Sequence, residues 1–145
     1  VLIIAVISFM FTFLKNKYAT SIISLLIEHD LLKDHFDEVA KELLKNNEYL
    51  DAIQLVQDMV IINTYSLKGN ELSIGYDLRT DNEHIREIML SSSLNSLRFE
   101  GPFTLKQGGV GFVGRYPIIQ NDSLWGYSAW RLDYPSEVAQ SSLFI

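Results

Sequence analysis

The spacing of apolar positions changes along this chain, and each change predicts an element. Residues 1–14 carry no charge and are almost wholly apolar. From Asp30 onward Leu32, Phe36, Val39 and Leu43 fall three or four apart and share one helical face. Asp34, Asp37, Glu38, Lys41, Glu42 and Lys45 take the other face, and Asn46-Asn47 closes the helix. Ser21 to Leu26 is apolar enough to pack as a helix as well, so the N-terminal part reads as a long helical stalk. Two β-rich runs follow, residues 52–56 and 59–65, with Gln57-Asp58 as the hairpin turn between them. Lys68-Gly69-Asn70 is a further turn. Thr80-Asp81-Asn82-Glu83 has the spacing of a capping box, opening a helix expected to bury Ile85, Ile88 and Met89.

Residues 99–119 hold five of the eight glycines and two of the three prolines, set among apolar residues that alternate like strands. They include a literal G-x-G-x-x-G from Gly109 to Gly114. A dinucleotide fingerprint needs a helix opening from its last glycine, with the pyrophosphate on that helix N-terminus. Here Arg115-Tyr116-Pro117-Ile118-Ile119 follows, and Pro117 pushes Tyr116 out of the helical region. The glycines therefore predict a hairpin, rising along Thr104-Leu105-Lys106, turning at Gln107-Gly108-Gly109 and returning from Val110 to Gln120. After a loop at Asn121-Asp122 a last strand covers residues 127–132, and Pro135 is placed to open a terminal helix. Helix, strands, helix and three strands in meander predict an α+β domain with one antiparallel sheet.

Composition narrows the function. In 145 residues there is room for one domain with one core. An apolar fraction of 48% and a charged fraction of 21% describe a folded chain. The net charge of −6, without any run of Lys or Arg, argues against nucleic acid and against an anionic membrane surface. The absence of cysteine excludes a disulfide framework, a thiolate zinc site and a cysteine nucleophile. His29, His35 and His84 lack metal-ligand spacing, no G-x-S-x-G elbow occurs, and carboxylate pairs fall on solvated helix faces. No enzyme activity, metal or cofactor is expected. The chain is expected to be a piece of a longer protein. Its apolar residues 1–14, short of the ~20 that cross a bilayer, read as the end of a transmembrane helix, with a buried core helix as the competing reading.

Seven short pieces stand in the order and spacing of CHASE domains: Ala52-Ile53-Gln54-Leu55, Lys68-Gly69-Asn70-Glu71, Ile74-Gly75-Tyr76-Asp77-Leu78, Gly101-Pro102-Phe103-Thr104-Leu105, Gln107-Gly108-Gly109-Val110-Gly111, Arg115-Tyr116-Pro117-Ile118 and Trp125-Gly126. The chain resembles that family from about Asp30 to Leu132, with Ser66 where the family often has proline. The resemblance implies an extracytoplasmic ligand-sensing module with a PAS-like antiparallel sheet, spanning residues 15–145. Such modules are flanked by transmembrane helices and followed inside the cell by a histidine kinase, a nucleotide cyclase or a diguanylate cyclase. It also implies a homodimer and a small-molecule ligand held at the positions of Asp77, Phe99 and Arg115.

Each of these three residues also has a plainer reading. Asp77, beside Gly75 at a strand end, can accept a ligand N–H in an apolar pocket or serve an Asx-turn. Arg115 can fork a ligand carboxylate or pair with a protein carboxylate. Strand alternation places it with Val113 and Pro117, opposite Phe112, Gly114 and Tyr116. Phe99 and Trp130 are core aromatics that can also wall a pocket. The rival to a sensor is a ligand-free extracellular module for dimerisation or partner docking.

Overall fold

A computed structural model describes residues 18, 20–45, 49–80, 82, 85, 86, 88, 89, 98–104 and 109–135. The apolar segment 1–14, the Gln107-Gly108 turn and the helix expected after Pro135 lie outside the described residues. Among the described residues no helix is long and apolar enough to cross a membrane.

The N-terminal helical stretch is in two pieces. Helix α1 covers residues 20–28. It closes in a Schellman motif: the Leu31 amide donates to the Leu26 carbonyl, the Asp30 amide donates to Ile27, and Asp30 takes φ 56°. An aspartate is among the few residues that tolerate this left-handed position. Helix α2 (Leu32–Lys45) then starts on a new axis, with Asp34 in its first turn and Lys45 in its last, each favourable to the helix dipole. Its buried residues are Phe36 and Ala40, on the face the period predicts.

Five strands follow: β1 (Leu50–Gln57), β2 (Val60–Tyr65), β3 (Arg98–Thr104), β4 (Val110–Gln120) and β5 (Ser123–Tyr134). They form one antiparallel sheet in the order β2-β1-β5-β4-β3. Two hairpins use two-residue turns with both φ positive, Asp58-Met59 at 49° and 65° and Asn121-Asp122 at 50° and 59°. This mirror-image turn matches the twist of the strands it joins. The first turn therefore lies one residue later than Gln57-Asp58, because Gln57 pairs with Val60. Asp58 is a usual residue for such a turn. Met59 is not, and it accepts the position while its carbonyl takes the Leu78 amide. The final strand is also longer than residues 127–132, since β4 and β5 stay paired from the turn to Val110 and Tyr134.

Each face of the sheet has its own cover. Ile53, Leu55, Ile118, Trp130, Leu132 and Tyr134 form one buried cluster with Ile23 of α1 and with Phe36 and Ala40 of α2. Fully burying each of the larger side chains contributes about 1.5–3 kcal/mol. Trp130 is wholly buried and satisfies its indole by donating to Ser128 Oγ at 2.7 Å. The opposite face carries a smaller cluster of Val56, Ile61, Leu78, Ile88 and Tyr127. Leu78 and Ile88 belong to the connection from β2 to β3, which covers that face. It contains two single-turn helices, Glu71–Ser73 and Leu78–Thr80, and helical residues Ile85, Arg86, Ile88 and Met89. Ile88 is buried as expected, but Met89 is 63% exposed, so the helix turns only part of its apolar face inward.

Two glycines mark close approaches. A Cβ on Gly126 would strike the Val56 carbonyl on the paired backbone of β1. A Cβ on Gly114 would meet the ring of Phe99 at 2.8 Å, and a side chain can move aside. Gly126→Ala is therefore expected to cost about 1–3 kcal/mol in urea unfolding, and Gly114→Ala less than that. Equal losses would show that the β1–β5 spacing adjusts more readily than this geometry allows.

Candidate functional site

Directly opposed residues in a sheet share a face, so the pairing register assigns the side chains. Thr64, Gln54, Ala129, Arg115 and Arg98 form one row across β2, β1, β5, β4 and β3 on the face away from α1 and α2. On one side of it lies the row Ala52, Arg131, Val113 and Glu100. On the other lies the apolar row Ile61, Val56, Tyr127 and Pro117. The face is thus polar over two rows and apolar over the third.

The polar rows are bound into two groups. On β3 and β4 the Arg115 guanidinium donates to Glu100 Oε1, with both residues under one-tenth exposed. Each would be costly to bury alone, and together they form a near-neutral, firmly held pair. On β1 and β2 the Gln54 amide donates to Thr64 Oγ1 at 3.5 Å, and Thr64 and Ser73 share a hydroxyl hydrogen bond of 2.7 Å. Arg131 links the sheet to the turn after β2. It donates to Asn70 Oδ1 at 2.9 Å and to Asp51 Oδ2, and its Nε lies 3.8 Å from Asp133 Oδ1. Burial pushes the Asp133 carboxyl above its usual range, a shift that the Arg131 charge offsets in part. Tyr127 closes the apolar end by donating its hydroxyl to the Ile88 carbonyl at 3.1 Å.

The residues expected from sequence fall in three different places. Arg115 is at the centre of the polar face, buried against Glu100. Phe99 pairs with Gly114, which puts it on the opposite face, packed against the cluster beneath the helices. Asp77 sits beyond the outer edge of β2, in a bridge with Val60, four strand spacings or roughly 19 Å from β4. Its carboxylate forms an Asx-turn, accepting the Arg79 amide at 2.9 Å, and it also accepts the Arg79 guanidinium at 2.6–3.1 Å. Those Arg79 hydrogen bonds, side chain first and backbone second, hold the Asp77 carboxyl below its usual range. Glu100, Gln54, Thr64 and Arg131 were not singled out as site residues from the sequence. Their signal was a polar residue at an inward position of an otherwise apolar strand, as with Gln54 between Ile53 and Leu55 or Arg131 between Trp130 and Leu132.

Among the described residues no cluster of His, Asp or Glu has metal-binding geometry. What the face offers is recognition: a fixed guanidinium–carboxylate pair, an amide, hydroxyls and an apolar wall within a few strand spacings. The antiparallel sheet with a different cover on each face is the PAS-like architecture expected from the sequence. The solved structures that share it include an extracellular ligand binding receptor from Desulfohalobium retbaense DSM5692 (TM-score 0.67, 18% identity, 88% of this chain and 22% of that one). Another is the sensor domain of the Vibrio cholerae histidine kinase DctB (TM-score 0.59, 12% identity, 90% of this chain and 49% of that one). A third is the ligand-binding domain of the Pseudomonas aeruginosa PAO1 amino acid chemoreceptor PctC in complex with GABA (TM-score 0.56, 14% identity, 87% of this chain and 57% of that one). This chain therefore spans between about a fifth and rather more than half of the length of these structures, and at such identities the likeness is one of fold. No family model and no curated protein matches the sequence.

Two outcomes follow from this geometry. Glu100→Ala and Arg115→Ala are each expected to lower stability by about 3–5 kcal/mol, and the double variant by less than the sum, in a urea double-mutant cycle. Additive losses would mean that the pair is not coupled. Asp133, with its carboxyl raised in the folded state, destabilises the fold while ionised and stops doing so as pH falls through its folded value towards the unfolded one. Asp133→Asn should therefore be the more stable protein at pH 7, with the gain vanishing in acid. A loss at neutral pH would mean that its attraction to Arg131 outweighs burial.

Proposed function

We propose that this chain is the extracytoplasmic small-molecule-sensing domain of a transmembrane signalling receptor, of the CHASE type within the wider class of PAS-like sensors. The observation that carries the proposal is the polar double row on the face covered by the β2–β3 connection. A protein seldom buries an arginine, a glutamate and a threonine on one sheet face for stability alone, because apolar residues would fill the space at less cost. Small-molecule sites combine an apolar wall with a few fixed polar groups, and this face has both. The fold supports the same reading, since it is shared with the sensor domains of a histidine kinase and a chemoreceptor.

In this reading the ligand lies beneath the connection, over the Arg115–Glu100 pair and the Gln54–Thr64 pair. Arg115 and Glu100 present one donor-rich and one acceptor-rich side, while Tyr127 and Val56 supply the apolar wall. Asp77, with its carboxylate committed to Arg79, shapes the rim of the connection and reaches the ligand only if that fork opens. Phe99 acts from the other face by packing on Gly114 and holding β3 and β4 in register behind Arg115. Residues 1–14 end a membrane span, and α1 and α2 connect that span to the sheet. The receptor is a homodimer whose output is a histidine kinase or a nucleotide or diguanylate cyclase. A ligand that fits one arrangement of sheet and helices better than another shifts the population toward it by that difference in affinity.

The test is a thermal-shift and calorimetric screen of the 145-residue chain against small carboxylic acids, amines and neutral polar compounds. A saturable ligand is expected, and Thr64→Val should weaken it about fivefold or more, as loss of one hydrogen bond predicts. Arg115→Lys keeps the charge but not the planar fork. It should weaken an acidic ligand at least tenfold and a neutral one little. A chain that binds nothing in the screen yet self-associates stably would instead be a docking or dimerisation module.

A further inference from the structure

A cleft lies on the helical face of the sheet, between α1 and the C-terminal half of β4. Its volume is about 500 Å³, within the range of small-molecule sites. Tyr116 and Ile118 of β4 form one wall with Ile119, and Thr20, Ser24 and Leu25 of α1 form the other. None of the residues lining it is charged. Leu25 and Ile119 stand at its mouth, 55% and 38% exposed. Gln120 ties the two walls together, its side-chain amide donating to Ser24 Oγ at 2.6 Å and to the Ser24 carbonyl at 3.1 Å.

Thr20 sets this cleft apart from a packing defect. The residue is 95% buried, and its Oγ1 meets no hydrogen-bond partner among the described residues. A buried hydroxyl in that condition is disfavoured, and a partner in the cleft would relieve it once Thr20 turns about χ1 to the other rotamer open to a helical threonine. One water occupies roughly 30 Å³, so the cleft accommodates something much larger with apolar surface to match Leu25, Ile118 and Ile119. An ionised group would find no counter-charge there and would lose its hydration.

We propose that the cleft between α1 and β4 is a second binding site, for a neutral and mostly apolar small molecule whose one carbonyl or hydroxyl group hydrogen-bonds Thr20 Oγ1. The site is independent of the polar rows, which lie on the opposite face of the sheet. Its occupant touches both α1 and β4, so it favours the docked position of the helix, and by linkage whatever undocks α1 weakens the occupant.

Methyl hexanoate is the probe, with hexanoate as its charged counterpart. Calorimetry on the 145-residue chain, with methyl-detected NMR of Leu25, Ile118 and Ile119, reads both affinity and place. Saturable binding of the ester is expected, with shifts at those three residues and at least tenfold weaker binding of the carboxylate. Thr20→Val keeps the shape and should weaken the ester about five- to tenfold, through loss of one hydrogen bond. Ile119→Trp, at a part-exposed position that tolerates the change, should fill the mouth and abolish binding while leaving the thermal midpoint near that of the parent chain. The proposal is overturned by an ester that does not bind, by shifts confined to the polar face, by tighter binding of hexanoate, or by variants that bind the ester like the parent chain. Because the methyl shifts report which face the ester occupies, failure at this cleft leaves the reading of the polar face to its own screen and to Arg115→Lys.

Discussion

Everything in this structure depends on β5, the last strand in sequence and the middle one in space. It is hydrogen-bonded on both sides, to β1 and to β4, and it must be covered on both faces. One face presents Trp130 and Leu132 to the helices, and the other presents Tyr127, Ala129 and Arg131 to the β2–β3 connection. Until β5 is in place, β1–β2 and β3–β4 are separate hairpins, each too small to be stable alone. The closest backbone approach falls here as well, where Gly126 lies against the Val56 carbonyl. The two covers are therefore coupled through a single strand, whose alternate residues answer to different partners.

Those partners differ in kind. The helical cover is a solid apolar contact: Ile23, Phe36 and Ala40 fit onto Ile53, Leu55 and Trp130. The connection covers its face with fewer apolar residues and leaves the polar rows under it. Such a face is stable only if its charges are balanced in place, and the Arg115–Glu100 pair meets that condition. The sheet edges are protected separately. Along β2 the Ile61 amide donates to the Tyr76 carbonyl of the connection and the Ile61 carbonyl accepts the Gly75 amide, while β3 carries Pro102 and an irregular register between Glu100 and Phe103.

How much of this the sequence disclosed depended on the range of the interaction involved. The α2 face, the strands and the Asn121-Asp122 turn were legible because period and turn chemistry are local. The sheet order was not in the pattern, and the resemblance implied only a PAS-like antiparallel sheet, since pairing of β1 with β5 joins segments roughly 70 to 80 residues apart. The turn at Asp58-Met59 was displaced by one residue because methionine gives no turn signal, and only the register of Gln57 with Val60 fixes it. Asp30 ends α1 without the glycine that usually marks such an end, so the break between α1 and α2 did not show in the hydrophobic period. At the site the limit was similar. Arg115 could be singled out, but Glu100 gains its meaning only when β3 folds back on β4 and brings the two onto one face.

The placement of the three expected residues bears on how such a domain can respond. Phe99 and Arg115 lie on opposite faces of the β3–β4 hairpin, tied by the pairing of Phe99 with Gly114 and of Arg98 with Arg115. A force on the guanidinium therefore reaches Phe99 through the Glu100 side chain and the β3 backbone. Phe99 in turn packs against the cluster that holds Ile23 and Phe36 of the two helices. A strand ladder resists stretching but twists readily, so the economical movement is a change of twist in β3–β4 that alters how α1 and α2 sit on the sheet. That route needs no opening of the core. It needs only that the two covers prefer slightly different twists, which follows from one being a packed apolar layer and the other a polar, hydrogen-bonded one.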